Sequence, residues 1–449
     1  MDSRPNILLI LTDQQTWSAI GDSTNPHLRT PHLDRLRRQS ASFPRCYCAS
    51  PVCGPSRMSL ATSRPPHEHG FTHHFNKLWD WDARGLVSFG EHLHKAGYDA
   101  RWIGKWHASR FIPREVHDAE GFTNMTGFGP ERERLGVDMD ALWAGQAADF
   151  LESKPQGPFF LGVSLHNPHD ICYWIMQKDE DVNARFSPPP GAELPPLPEN
   201  FSRDPNEPAV MRLRRDETKY GPELAWTKDW DETDWRRYLY AYNRLVEHID
   251  TEIGRVLDAL DRSGLAENTL VVFTSDHGES CAGHELVVKL SCYDEAMRVP
   301  LLLRWPGHIE PGKELDFPVS GLDLAPTVLD AAGAEPLSDG RGVSLLPVLH
   351  GEAAPERAVV SELYPTMQQL EAQARIVCRD HWKYILSWDG EQADETLYNL
   401  DRDPGEQHNL AANPELTPVL ESLRRDFAVW CETTNDPLPE LMGAASPRL

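Results

Sequence analysis

The chain has 449 residues, enough to bury one large core and a smaller one, with the 40% hydrophobic and 25% charged content of a water-soluble globular protein. Its formal charge of −25, from 44 basic and 69 acidic residues, opposes nucleic acid or an anionic membrane as partner. The longest apolar runs have strand length, which argues against a membrane-spanning helix.

The N-terminal run MDSRPNILLILTDQ shows no long apolar stretch ending in a small-residue cleavage site. The eight cysteines (46, 48, 53, 172, 281, 292, 378 and 431) form no C-x-x-C pair, which suits free thiols in a reducing compartment. The cytoplasm is therefore the expected location, with the periplasm as the alternative.

Taken in order, residues 6–12 (NILLILT) form a continuous apolar run, as in a parallel strand buried on both faces, and end on Asp13-Gln14. A helix follows Thr30-Pro31 through about residue 39. In SPVCGPSRMSLATSRPPHEHG, Pro55 suits the first position of a helix, which places Cys53 just before its positive N-terminal end. That is a place for a nucleophile that must meet an anion, although many buried cysteines precede helices and do nothing. Residues 85–96 read as an amphipathic helix closed by Gly97. A strand near 100–103 then ends in Gly104-Lys105-Trp106-His107.

Residues 158–165 (PFFLGVSL) read as another buried strand, leading into His166-Asn167-Pro168-His169-Asp170. A long helical pattern covers 235–260, and the strand over 269–275 ends on Asp276-His277-Gly278. Four apolar strands thus deliver polar residues just beyond their carboxyl ends, where ligands bind in open α/β sheets. This predicts one site built from Asp13, Gln14, Lys105, His107, His166, Asp276 and His277.

The stretch 171–234 is rich in proline and charge with weak periodicity. It is expected to be a loop that borders the site and shapes substrate choice, with a solvated insertion as the alternative. A strand at 299–304 and a helix near 323–332 close the large domain. Alternation over 374–378 and 382–388 then suggests an antiparallel hairpin, followed by a turn at 403–405 and a helix over 414–431. The expected fold is α/β: a large, mostly parallel sheet flanked by helices (residues 1–355) and a small C-terminal antiparallel sheet with a helix (residues 356–449).

Asp13, Gln14, Asp276 and His277 offer mostly hard oxygen ligands plus one imidazole, which suits Ca²⁺, Mg²⁺ or Mn²⁺ more than structural zinc. Either pair alone reads more simply as a strand-end turn or a loop salt bridge. Two pairs beyond two buried strands favour a metal.

Cys53-Gly54-Pro55-Ser56-Arg57 matches C-x-P-S-R, the maturation signature of type I sulfatases in the alkaline phosphatase superfamily. The chain resembles that family over almost its whole length, including the Asp-Gln and Asp-His pairs, Gly-Lys-Trp-His and the run from Leu397 to Leu410. The resemblance implies that a formylglycine-generating enzyme oxidises Cys53, and that one hydroxyl of the hydrated aldehyde attacks sulfur. It implies a divalent metal, Ca²⁺ first, held by Asp13, Gln14, Asp276, His277 and the modified Cys53. By the same resemblance Arg57 holds the formylglycine, Lys105 and Lys289 bind sulfate, and His107 contacts the diol and takes its proton. His166 contacts sulfate and protonates the departing alcohol, a role disputed with Lys289. Cations aimed at the charge developing on the leaving oxygen are each worth roughly a few kcal/mol. His169 and His284 are candidates for the substrate or for supporting the other residues, and Trp174 is a candidate for the substrate.

One departure from the family pattern is Thr62-Ser63-Arg64 in place of Thr-Gly-Arg. The expected function is a sulfuric ester hydrolase acting on a small anionic substrate, a sulfated saccharide. The alternatives are a phosphate or phosphonate monoester hydrolase, a choline or aryl sulfatase, and a binding protein that keeps the fold without catalysis.

Overall fold

The computed structural model describes residues 4–21, 25–73, 81, 84–108, 118–119, 121–124, 135–177, 179–215, 226–365, 372–443 and 446. Its first strand, β1 (Asn6–Asp13), is buried along its whole length, as an uninterrupted apolar run requires. Successive side chains point to opposite faces: Ile7, Leu9 and Leu11 enter one core, and Leu8 and Ile10 the other.

The strands that follow are β2 (Ala41–Ser42), β3 (Cys46–Tyr47), β4 (Asp99–Gly104), β5 (Asp118–Ala119), β6 (Phe122–Asn124) and β7 (Phe159–Pro168). Then come β8 (Thr269–Ser275), β9 (Arg298–Val299), β10 (Leu301–Arg304) and β11 (Val319–Ser320). Eight of them form one sheet in the order β2–β10–β8–β1–β7–β4–β6–β5. The central strands β8, β1, β7 and β4 run parallel, with Leu8 paired to Leu161 on one side and Val271 on the other. All four carboxyl ends therefore open on one edge. Antiparallel pairing is confined to the flanks, β10 with β8 and β2, and β5 with β6.

On one face lie the helices Gly136–Glu152 and Glu232–Ser263, whose Ala144, Ala147, Ile249, Ile253 and Val256 are fully buried. Burying an Ile or Val side chain is worth about 1.5–3 kcal/mol. The longer helix is bounded by a capping box between Asp231 and Asp234, and by Gly264 at φ +76°. On the other face the helix Cys53–Thr62 is buried at all ten positions.

That helix begins at Cys53 itself, two residues earlier than Pro55 suggests. Ser56 N–H is the first to reach back, to Val52 C=O, so Pro55 still occupies a position whose missing donor leaves nothing unpaired. Ser63, where the family pattern has glycine, caps the helix in the left-handed region at φ +57°. Its hydroxyl donates to Leu322 C=O (2.8 Å) and accepts from Gly342 N–H (3.0 Å), which holds a serine where glycine is the usual choice. The helix expected over 85–96 is shorter, Phe89–Lys95, because Ser88 caps it by accepting from Gly90 N–H.

The stretch expected to be a loop carries the short helices Ile171–Met176, Glu180–Phe186 and Ala209–Arg214. Helices of six or seven residues span too few turns to show a period in sequence. Among the described residues no helix is long and apolar enough to cross a membrane.

C-terminally, β12 (Val359–Leu363), β13 (Gln373–Arg379), β14 (Trp382–Trp388) and β15 (Ala393–Asn399) pair antiparallel in chain order. The helix Thr417–Thr434 packs Leu420, Leu423 and Phe427 with Val377, Tyr384 and Leu386. This sheet is tied to the turn after the Cys53 helix by buried charge. His67 Nδ1 meets Glu362, its Nε2 meets Thr434 C=O at 3.1 Å, and Arg375 pairs with Asp436. Burial opposes the His67 charge, but Glu362 and Asp436 raise its pKa above the ordinary histidine value. A raised folded-state pKa gives stability that is complete below the unfolded value and is lost as pH rises through the folded one. We expect the melting-temperature gap between the wild type and His67→Gln to be widest near pH 6 and to narrow toward pH 9. A gap independent of pH would show that His67 does not fold as an imidazolium.

Candidate active site

The strand ends converge as the sequence predicts. Asp13 and Gln14 leave β1, Lys105 and His107 follow β4, His166 lies at the end of β7, and Asp276 and His277 follow β8. The buried helix Cys53–Thr62 brings Cys53 and Arg57 to the same edge. Gly104, at φ +93°, makes the turn after β4 possible, since a Cβ there would lie 2.0 Å from Ser164 C=O.

Arg57 organises the floor. Its Nε donates to Asp276 Oδ2 at 2.7 Å and its Nη2 to Asp13 Oδ2 at 3.0 Å. Its Nη1 donates to Ser164 Oγ (2.7 Å) and to Lys105 C=O (2.8 Å). Lys105 Nζ lies 2.6 Å from Asp13 Oδ2. Asp276 Oδ1 accepts from the amides of Gln14 (3.1 Å) and His277 (2.9 Å). Asp13, Gln14, Arg57, Asp276 and His277 are all buried, whereas Lys105, His107, His166, His169 and Lys289 stand half-buried at the rim.

Cys53 Sγ lies at the centre, 2.9 Å from Lys289 Nζ, 3.1 Å from His277 Nε2 and 3.6 Å from Asp13 Oδ1. Burial opposes its ionisation, but Lys105, Lys289 and His277 pull its pKa well below the ordinary thiol value. The other seven cysteines go the opposite way, each raised first of all by burial. Burial and Cys53 push Asp13 up, but Lys105, His169 and Arg57 hold it well below the usual carboxylate range. Burial pushes His169 down to about 4, with Lys289 and Lys105 adding to the effect, and His166 is lowered by burial and Lys105.

His169 joins this site: its ring centroid lies 4.6 Å from that of His166, and its charge acts on Asp13. His284 does not. It is fully buried, stacked on Tyr293 with ring centroids 3.6 Å apart, and its amide donates to Asn200 C=O. That corrects the expectation of a substrate contact, because a ring enclosed in this way presents no face to a ligand. Trp174 is tied within the covering stretch, where Nε1 donates to Ser187 Oγ at 3.0 Å and the ring packs edge-on to Trp230. The same stretch reaches the site through Cys172, 3.4 Å from Gln14 Nε2.

Sequence reasoning missed several contributors. Ser164 receives Arg57, Tyr242 donates to Gln14 C=O at 2.9 Å, and Asp140 and Asp170 anchor the backbone around His166 and Val137. Glu279 sits within the Asp276-His277-Gly278-Glu279 run that drew attention to the first two residues. Being acidic and two residues from a metal candidate was the one available signal.

A sequence model of the Sulfatase family matches residues 5–334, and a second, for the C-terminal region of N-sulphoglucosamine sulphohydrolase, matches residues 283–431. The chain belongs to the sulfatase family. It is 27% identical to a Delta 4,5-hexuronate-2-O-sulfatase of Bacteroides thetaiotaomicron over 99% of this chain and 92% of the relative. It is 29% identical to a choline-sulfatase of Rhizobium meliloti, covering 92% of this chain and 83% of that one. A solved 2-O GAG sulfatase superposes with a TM-score of 0.84 at 26% identity, over 99% of this chain and 96% of the other.

Sulfatases generally work with a formylglycine and a divalent metal. The donor set of this sulfatase fits a metal. Ligand atoms of Asp13, Cys53, Asp276 and His277 lie within 4.8 Å of one another. His277 Nδ1 faces Gly278 C=O at 2.8 Å, which leaves Nε2 turned toward Cys53 as a ligand nitrogen. Gln14 Oε1 lies 3.2 Å from Lys289 Nζ, itself 2.9 Å from Cys53 Sγ, and Gln14 sits at φ +72°, a strained conformation of the kind found at functional sites.

Removing Arg57 would strand two buried carboxylates, so Arg57→Ala is expected to lose roughly 3–5 kcal/mol in chemical denaturation. Ca²⁺ should raise the melting temperature of the wild type and the variant, and a chelator should abolish the gain. No shift in either protein would count against a metal centre.

Proposed function

We propose that this sulfatase releases sulfate from a sulfated saccharide, with a formylglycine made from Cys53 as nucleophile and a divalent metal, Ca²⁺ first, bound by Asp13, Gln14, Asp276 and His277. The observation that carries the reading is the position of Cys53 Sγ, 2.9 Å from Lys289 Nζ and 3.1 Å from His277 Nε2 in a carboxylate-lined floor. A hydrated formylglycine supplies the attacking hydroxyl, and a bound divalent cation would favour its deprotonation and hold a sulfate oxygen.

The chain's own residues are assigned the remaining work. Arg57 fixes the two aspartates and the start of the Cys53 helix. Lys105 and Lys289 meet the sulfate oxygens, and their charge is strengthened by a largely buried surrounding. His107, on the turn after β4, takes a proton from position 53. The departing alcohol takes its proton from His166 or Lys289. The saccharide is supported by the 2-O-sulfatase relative, and by the aromatic Tyr173, whose ring lies edge-on to His169 with centroids 6.4 Å apart. A reducing compartment belongs to the same proposal, supported by eight free cysteines, as does a formylglycine-generating enzyme as maturation partner.

Produced with that enzyme, the protein should show an aldehyde mass at Cys53 and hydrolyse sulfated mono- or disaccharides. Cys53→Ala should be inactive. Faster turnover of a phosphate ester than of the matching sulfate would overturn the sulfatase reading. Hydrolysis of aryl and choline sulfates alone would overturn the saccharide.

Leaving-group acidity separates the two proton donors. The variant lacking the true donor, His166→Ala or Lys289→Ala, should fall a further 10²–10⁴-fold or so on alkyl sulfates relative to nitrophenyl sulfate. Equal losses on both esters would assign that residue to sulfate binding instead.

A further inference from the structure

Glu279 is fully buried, and no role in the reaction above uses it. Its contacts nonetheless close a ring around the nucleophile. Oε2 accepts from Gln14 Nε2, and Oε1 accepts from the Tyr238 hydroxyl and from Val288 N–H. Gln14 Oε1 accepts from Lys289 Nζ at 3.2 Å, and Lys289 is the next residue after Val288. One carboxylate thus touches the side chain on the metal side of Cys53 and the backbone that carries the lysine on the other.

Both of these need holding. The two ends of a carboxamide have the same shape but opposite hydrogen-bonding character, so its orientation is set only by its partners. Glu279 accepts only, and it therefore takes the Nε2 end of Gln14 and turns Oε1 toward Lys289 and position 53. Cys172, 3.4 Å from Nε2, is a weak partner that cannot make this selection alone. On the other side, Val288 and Leu290 flank Lys289 at φ +56° and +68°. A β-branched valine rarely adopts this conformation. It persists because the Val288 peptide is gripped at both ends, its N–H by Glu279 and its C=O by Ser280 N–H at 2.9 Å.

We propose that Glu279 is a positioning residue that sets, in one stroke, the oxygen-inward orientation of Gln14 and the reach of Lys289 to position 53. The proposal rests on the metal-dependent sulfatase reading of the site. It predicts a pairing that can be exchanged. In E279Q the new amide must face a donor, either the Gln14 amide or Val288 N–H. In Q14E two acceptors oppose each other. In the double variant Q14E/E279Q a donor again meets an acceptor between positions 14 and 279, and an oxygen still faces Lys289.

The test is calorimetric titration of the matured full-length protein with Ca²⁺, Mg²⁺ and Mn²⁺ in turn, together with KM and kcat on one sulfate ester. We expect E279Q to bind the metal about 10–100-fold more weakly than the wild type. The double variant should bind it more tightly than either single variant, a coupling that general loss of stability would not produce. Wild-type affinity in E279Q, or losses that simply add in the double variant, would overturn the proposal. If E279Q does not fold, the comparison is Q14E with the double variant, and the proposal requires tighter binding in the latter. A wild type that binds none of the three metals and cleaves no sulfate ester would overturn the underlying site reading as well. An active, metal-binding wild type with an unchanged E279Q overturns this inference alone.

Discussion

One guanidinium joins two strands in the interior of this protein. Arg57 bridges Asp13 at the end of β1 and Asp276 after β8, where all three groups are buried. Two carboxylates this close, out of water, cannot both stay ionised without a compensating charge. The helix Cys53–Thr62 must therefore enter the core completely to deliver that charge. Because Cys53 lies one turn before Arg57 on the same helix, the need to neutralise the aspartates also fixes where the sulfur sits. Chemistry and folding share a single constraint here.

The same floor reverses the field of the molecule. A chain of net charge −25 repels anions at long range, whereas the rim gathers Lys105 and Lys289 around one point. At the ionic strength of a cell the distant charge is screened beyond about 8 Å, while pairs within the partly buried rim are screened far less. Local arrangement therefore outweighs composition, and the sign of the whole chain says little about what the pocket attracts.

Much of this was legible in the sequence because it rests on short-range rules. Short uninterrupted apolar runs read as strands buried on both faces, and parallel strands open at one edge, so the sequence itself gathers Asp13, Gln14, Lys105, His107, His166, Asp276 and His277. What escaped depends on contacts between residues far apart in the chain. The left-handed Ser63 needs Leu322 and Gly342 to hold it, and neither is visible from the single departure at position 63. In sequence His284 is a candidate for the substrate or for supporting the other residues. Its ring is instead enclosed by Tyr293. The short helices of 171–234 were hidden because none is long enough to repeat a pattern, and Glu279 because its three partners come from β1, the helix Glu232–Ser263 and its own loop.

The downward pull on Cys53 has a further consequence for any mixed population of molecules. In the proposed reaction the cations around position 53 receive a sulfate, yet in an unmodified chain they surround the Cys53 thiol and draw its pKa down. Such molecules lack the attacking hydroxyl of the proposed reaction and do not turn the substrate over. A preparation in which only some chains carry the aldehyde would then behave as a smaller amount of full-strength enzyme. Its maximal rate would track the fraction modified while its half-saturation point stayed fixed.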